Sequence, residues 1–134
     1  MPYWRLFYHI TWGTKNRLAL IESAWVSDLY GYLWGKATAL ECIPHTIDGM
    51  PDHIHVVISI LPKVAVAELI GQLKGASSHQ INENYADGSF AWQAEYGIVS
   101  FSEKALPIIV KYVRNQKEHH AQNTIKEALE NLSL

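Results

Sequence analysis

Stretches with a two-residue period and stretches with a 3.6-residue period succeed one another along this chain in the order β, α, β, β, α, β, α, an order that few folds accommodate. From Tyr3 to Trp12 the side chains of Trp4, Leu6, Tyr8, Ile10 and Trp12 take one side and those of Tyr3, Arg5, Phe7, His9 and Thr11 the other, which predicts a strand. Gly13 to Arg17 supplies a turn. Between Glu22 and Leu40 the residues Trp25, Leu29, Tyr32 and Leu33 recur at helical spacing. Cys42 to Asp48 and the apolar run His53 to Ile60 read as two strands, the first broken by Gly49 and joined to the second through Met50, Pro51 and Asp52. After Pro62, Val66, Leu69, Ile70 and Leu73 mark a second helix that runs to Ile81. Phe90 to Phe101 predicts a fourth strand, bent near Gly97. Leu106, Ile109, Val110 and Val113 stripe a third helix from Lys104 to about Gln122, with Pro107 near its start, where a missing N–H costs least. Asn123 to Leu134 reads as a short amphipathic helix.

Elements in this order fold most simply as an α+β domain: a ferredoxin-like (RRM-like) four-stranded antiparallel sheet with helices on one face, plus a C-terminal helix. At 134 residues the chain suits one domain, 1–134, with a substantial core. Its net charge of -2 and pI near 6.4 exclude a broadly basic surface, so any nucleic-acid contact must be local. Cys42 is the sole cysteine and no secretory-type leader opens the chain, so a cytoplasmic protein is expected. No apolar run approaches the roughly 20 residues that cross a bilayer, and no membrane partner is expected.

Chemistry concentrates in two places. His53 and His55 stand two apart on a strand, so both imidazoles emerge on one side, roughly 7 Å apart, close enough to grip a divalent ion between them. Two half-exposed histidines with no such role would look the same. On the third helix Tyr112 and Gln116 lie four apart and share a face. Measured around the helix, Tyr112 falls at the margin of the apolar stripe, where a phenol packs its ring and sends its hydroxyl toward a cleft. A structural tyrosine would occupy the same place.

Taken together, Met50-Pro51-Asp52-His53-Ile54-His55, then Tyr112-Val113-Arg114-Asn115-Gln116 and Glu118-His119-His120, resemble the single-tyrosine HUH transposases, the TnpA-type insertion-sequence transposases and their REP-associated relatives. Tyr8-His9 through Thr14-Lys15 resembles that family's first strand, Leu73-Lys74-Gly75 with Ser77-Ser78 its second helix, and Trp92-Gln93 to Tyr96-Gly97 its fourth strand. The resemblance implies that His53 and His55 hold a divalent metal with Gln116 as third ligand through its amide oxygen, and that Tyr112 is the nucleophile. It implies a transposase that nicks and rejoins single-stranded DNA with hairpin ends through a 5′-phosphotyrosine, working as a homodimer. Two imidazoles and an amide oxygen suit Mn²⁺, and Mg²⁺ is acceptable where phosphate and water complete the shell. Lys15, Arg17, Lys74, Lys111, Arg114 and Lys117 are the expected DNA-contacting cations, each of which is otherwise an ordinary surface charge.

Two other readings fit parts of the sequence. A binding module of the same fold, without catalysis, would hold hairpin nucleic acid. No segment carries the basic, glycine and aromatic pattern of an RNA-recognition strand. A small-molecule metallohydrolase would use His53 and His55 with Asp52 or Glu95 as base, and would leave Tyr112 and Gln116 without work.

Overall fold

The structure is a computed structural model that describes residues 3–115. Its elements are β1 (Phe7–Gly13), α1 (Val26–Ala39), β2 (Ile43–Met50), β3 (His53–Ser59), α2 (Val66–Ile81), β4 (Gly97–Phe101) and α3 (Leu106–Arg114), with a short 3-10 turn at Lys15–Arg17 and another at Glu103–Ala105. The strands form one four-stranded sheet in the order β2-β3-β1-β4, with every neighbouring pair antiparallel. This is the ferredoxin-like topology that the order of periods calls for.

Strand register sorts the central side chains onto two faces. Ile10, Trp12, Ile54, Val56 and Ile58 point one way and meet Leu29 and Leu33 of α1 and Leu69, Ile70 and Leu73 of α2, all essentially inaccessible to solvent. Each such side chain contributes about 1.5–3 kcal/mol through burial, so this layer is the main source of stability. His9, Thr11, His53, His55 and Val57 point the other way. Helix α3 lies on that second face, where Ile109, Tyr112 and Val113 pack on Val57, flanked by Phe101, Leu106 and Val110. Thus α1 and α2 share one face as expected, and the helix carrying the tyrosine covers the histidine face.

Several element ends depart from the sequence reading. β1 starts at Phe7 rather than Tyr3, and α1 at Val26 rather than Glu22. Gly49 lies inside β2, paired with Ile54, instead of breaking it, and the position takes glycine because a side chain there would meet the carbonyl of His53. The fourth strand shrinks to Gly97–Phe101. Ahead of it, the Asn82 amide bonds both N–H and C=O of Phe90, and Lys74 Nζ donates to the carbonyls of Gln93 (2.6 Å) and Glu95 (3.2 Å). These bonds satisfy the backbone without a strand partner, apart from the single bridge between Thr14 and Trp92. The expected helical residues beyond Asn115 and the tail Asn123 to Leu134 lie outside the described residues.

Candidate functional site

The hairpin β2–β3 delivers His53 and His55 to the second face, and β1 lies beside them with Gly13 opposite His53 and Thr11 opposite His55. The two imidazoles stand edge to face with ring centroids 5.2 Å apart. Both are buried, His53 at 3% and His55 at 0% exposure. Tyr112 reaches the same place from α3, its ring edge-on to His55 at 6.4 Å. A strand pair and a helix distant in sequence therefore converge on one point within a single chain.

Tyr112 is more deeply placed than its helical angle suggests. It is only 3% exposed, because the stripe that meets the sheet runs through Ile109, Tyr112 and Val113 while Leu106 and Val110 flank it. The expectation of a marginal position fails because α3 seats on a face of imidazoles and Val57, which accepts a phenol ring as readily as an aliphatic side chain.

The outer nitrogens of both imidazoles have partners. Nδ1 of His53 lies 2.7 Å from the Asp52 carboxylate, an arrangement in which Nδ1–H donates and Nε2 keeps the lone pair. Nδ1 of His55 lies 2.7 Å from Nε2 of His9 and 3.3 Å from the Thr11 hydroxyl. The Arg17 guanidinium sits 3.5 Å from the other oxygen of Asp52 and 3.4 Å from His53 Nδ1. Asn16 and Arg17 both have positive φ, 57° and 54°, a backbone form that side chains other than glycine adopt at a cost of roughly 1–3 kcal/mol. The turn is held by Thr14, whose hydroxyl donates to Leu18 O at 2.5 Å, and by the bond from Thr14 N to Asp52 O at 2.9 Å. Gly13 leaves room for this packing, since a Cβ there would lie 2.2 Å from Gln93 Oε1 and 2.6 Å from Arg17 Cδ. Beside His53 an open cleft of about 350 Å³ is lined by Arg17, Ala19, Met50, Pro51 and Asp52.

His53 and His55, two apart on β3 with ring centroids 5.2 Å apart, are of a residue type that could hold a divalent ion. Among the described residues no group of three or more His, Cys, Asp or Glu side chains gathers in a metal-holding arrangement. A set of two imidazoles and an amide oxygen would not be of that composition. Gln116 and Lys117 lie outside the described residues, as do His119 and His120.

The remaining cations divide. Arg17 belongs to the site, and Lys15, Lys111 and Arg114 are exposed. Lys74, expected at a DNA surface, anchors the segment before β4 through its two carbonyl contacts, and its partial burial holds its ammonium below the ordinary lysine pKa. Glu95 is likewise exposed there, with its carbonyl bound by Lys74. Sequence reading did not single out His9 or Thr11 beyond their strand face. Pairing β1 antiparallel with β3 is the signal that brings them to His55.

Comparison with known proteins gives a consistent result. Residues 2–116 match the family described as IS200-like transposases. The chain is 30% identical over 123 residues to the ISDra2 transposase TnpA of Deinococcus radiodurans, covering 86% of each chain. It is also 30% identical over 95 residues to the transposase of insertion sequence element IS200 from Salmonella typhimurium, covering 67% of this chain and 59% of that one. Among solved structures, a chain from Deinococcus radiodurans R1 assigned to a transposase superposes with a TM-score of 0.70 at 24% identity, covering 87% of this chain and 95% of that one. A REP-associated tyrosine transposase bound to a REP hairpin superposes with a TM-score of 0.68 at 13% identity, covering 90% of this chain and 74% of that one. At such identities the last two likenesses concern the fold. No helix among the described residues is long and apolar enough to cross a membrane.

Proposed function

The chain belongs to the IS200-like transposase family, whose members cut and join DNA, and from that premise we propose that it is a single domain, 1–134, which nicks single-stranded DNA next to hairpin ends with Tyr112 as nucleophile. The observation that carries this reading is the meeting of Tyr112 with the His53–His55 pair on one buried face. The family's solved relative bound to a REP hairpin supports a hairpin substrate.

In this reading the Tyr112 phenol oxygen attacks the scissile phosphorus in line. The bond to the 3′ oxygen breaks, the proton given up by the phenol is matched by one taken up as that oxygen leaves as a 3′ hydroxyl, and the downstream strand stays joined to Tyr112 by its 5′ phosphate. A 3′ hydroxyl from another end then reverses the step. The phosphotyrosine linkage is close in energy to the phosphodiester it replaced, so strand transfer needs no nucleotide cofactor. His53 and His55, with Gln116 as third donor, would hold Mg²⁺ or Mn²⁺. When bound, that ion would neutralise charge on the phosphate's non-bridging oxygens. Asp52 orients His53, Tyr112 is kept in place by its packing on Val57 and against the His55 ring, and Arg17 lends a positive charge at the mouth of the cleft. Lys15, Lys111, Arg114 and Lys117 supply phosphate contacts along the strand, which keeps the basic surface local in an acidic chain. A homodimer acting in the cytoplasm at nucleoid DNA completes the proposal.

The test uses a single-stranded oligonucleotide built from the palindromic DNA flanking the coding region and labelled at its 3′ end. With Mn²⁺ or Mg²⁺, label is expected on the protein chain. EDTA or Tyr112→Phe should abolish it, and Tyr112→Phe should still bind the hairpin. Hairpin binding without adduct under every metal condition would favour the non-catalytic binding module. Adduct in the phenylalanine variant would assign the nucleophile elsewhere.

A further inference from the structure

We propose that His9 is a positioning residue for the metal site, holding His55 in the tautomer that presents Nε2. The inference rests on the reading of His53 and His55 as metal ligands and adds a residue to which that reading gives no role.

His9 lies on β1 opposite Val57, diagonal to His55, and both imidazoles are at 0% exposure. Their rings meet edge to edge, centroids 5.0 Å apart and planes 25° from parallel, with His9 Nε2 2.7 Å from His55 Nδ1. Only one proton lies between those two nitrogens when both rings are neutral, so its owner decides which nitrogen His55 offers. If His9 donates, His55 carries its own proton on Nε2 and cannot ligate through that atom. If His55 donates, His9 accepts on Nε2, its proton moves to Nδ1, and His55 Nε2 carries the lone pair a metal needs. Metal binding through Nε2 therefore requires the second arrangement. Thr11 Oγ1, at 3.3 Å from the same Nδ1, is the longer contact.

The choice of an imidazole has a physical reason. His53 already rests against a carboxylate, Asp52, balanced in part by Arg17. Asp52 is partly exposed, whereas a carboxylate behind the fully buried His55 would be costly to desolvate and would place more negative charge where a phosphate must sit. A neutral ring supplies the acceptor without the charge, and the near-coplanar hydrogen bond fixes the plane of His55.

The experiment uses the full chain. Nitrogen-15 spectra of the histidine rings, without added metal, are expected to show His55 protonated at Nδ1 and unprotonated at Nε2. Mn²⁺ is then titrated, with the free ion read by electron paramagnetic resonance. His9→Leu keeps the volume but removes the acceptor, and should weaken binding by about 10–100-fold. His9→Gln, whose amide oxygen falls near the position of Nε2, should restore affinity close to wild type. Equal affinity in wild type and His9→Leu, or His55 protonated at Nε2 in the wild type, overturns the inference while leaving the metal reading intact. Absence of any His55-dependent Mn²⁺ binding by wild type overturns the metal reading, and the inference falls with it. If His9→Leu fails to fold, the wild-type tautomer and the His9→Gln affinity decide.

Discussion

Replacing Gly49 by alanine perturbs the site through the backbone alone. Gly49 sits in β2 opposite Ile54, and a Cβ on it would lie 2.3 Å from the His53 carbonyl oxygen and 2.8 Å from Ile54 Cα. Ordinary contact begins at 3.4 Å, so the larger overlap is about 1.1 Å (3.4 less 2.3), and both partners are main-chain atoms with no rotamer to yield. Strand β3 must move away from β2 at the residue that carries the first imidazole. Overpacking of this kind costs about 1–3 kcal/mol, a fall in Tm of about 4–11 °C for a chain of this size. A displacement near 1 Å at a catalytic group can also lower turnover about 100-fold. The assay is paired: thermal unfolding by circular dichroism, and formation of the covalent DNA adduct at a temperature where the variant remains folded. Loss in both is expected, with the adduct rate falling further than stability explains. An alanine variant with wild-type Tm and adduct rate would refute the claim that close approach of β2 and β3 positions His53.

Other substitutions test separate parts of the structure. Gly71→Ala, in the interior of α2 with nothing within 4 Å of the added methyl, should raise stability by about 0.5–1 kcal/mol in denaturant titration. A fall would show that the position needs glycine. Lys74→Met keeps the aliphatic stem and loses two charge-assisted bonds, so hydrogen exchange in residues 91–96 should quicken and stability fall by about 1–3 kcal/mol; unchanged exchange would deny the anchor. For His45, desolvation pushes the imidazole pKa below 6.5. Its contribution to stability is thus present above pH 6.5 and is lost as pH falls through the lower folded-state value. A nuclear magnetic resonance titration should place its midpoint under 6.5, and a midpoint at or above that value contradicts the burial argument.

The sheet was legible because its central strands have unambiguous partners. His53 to Ile60 is apolar enough to demand burial on both faces, and the turn before it fixes a hairpin. What remained hidden was decided by single side chains acting on the backbone. Nothing in the period of Phe90 to Phe101 announces that Asn82 and Lys74 will take up the polar groups of residues 90–95. The face that α3 takes was also hidden, since a nine-residue amphipathic helix packs equally well on either apolar layer until register shows one already filled by α1 and α2. In the site, spacing put His53 with His55 and Tyr112 with Gln116 on shared faces, and only the family resemblance singled them out from structural residues. His9 escaped because its neighbour is set by strand pairing 46 positions away. Asp52 was read as part of a turn, and as a base only in the metallohydrolase alternative. Its contact with the next side chain depends on a rotamer that no periodicity encodes.

The claim on which the enzyme reading depends is that the imidazoles of His53 and His55 share one cation beside the ring of Tyr112. Crystals of the full chain grown with Mn²⁺ and measured at the manganese edge test it directly. The expected anomalous map has a peak ligated by Nε2 of His53 and Nε2 of His55, on the side of His55 that Tyr112 faces. A peak ligated through either Nδ1, or manganese bound only at places remote from both imidazoles, would contradict it.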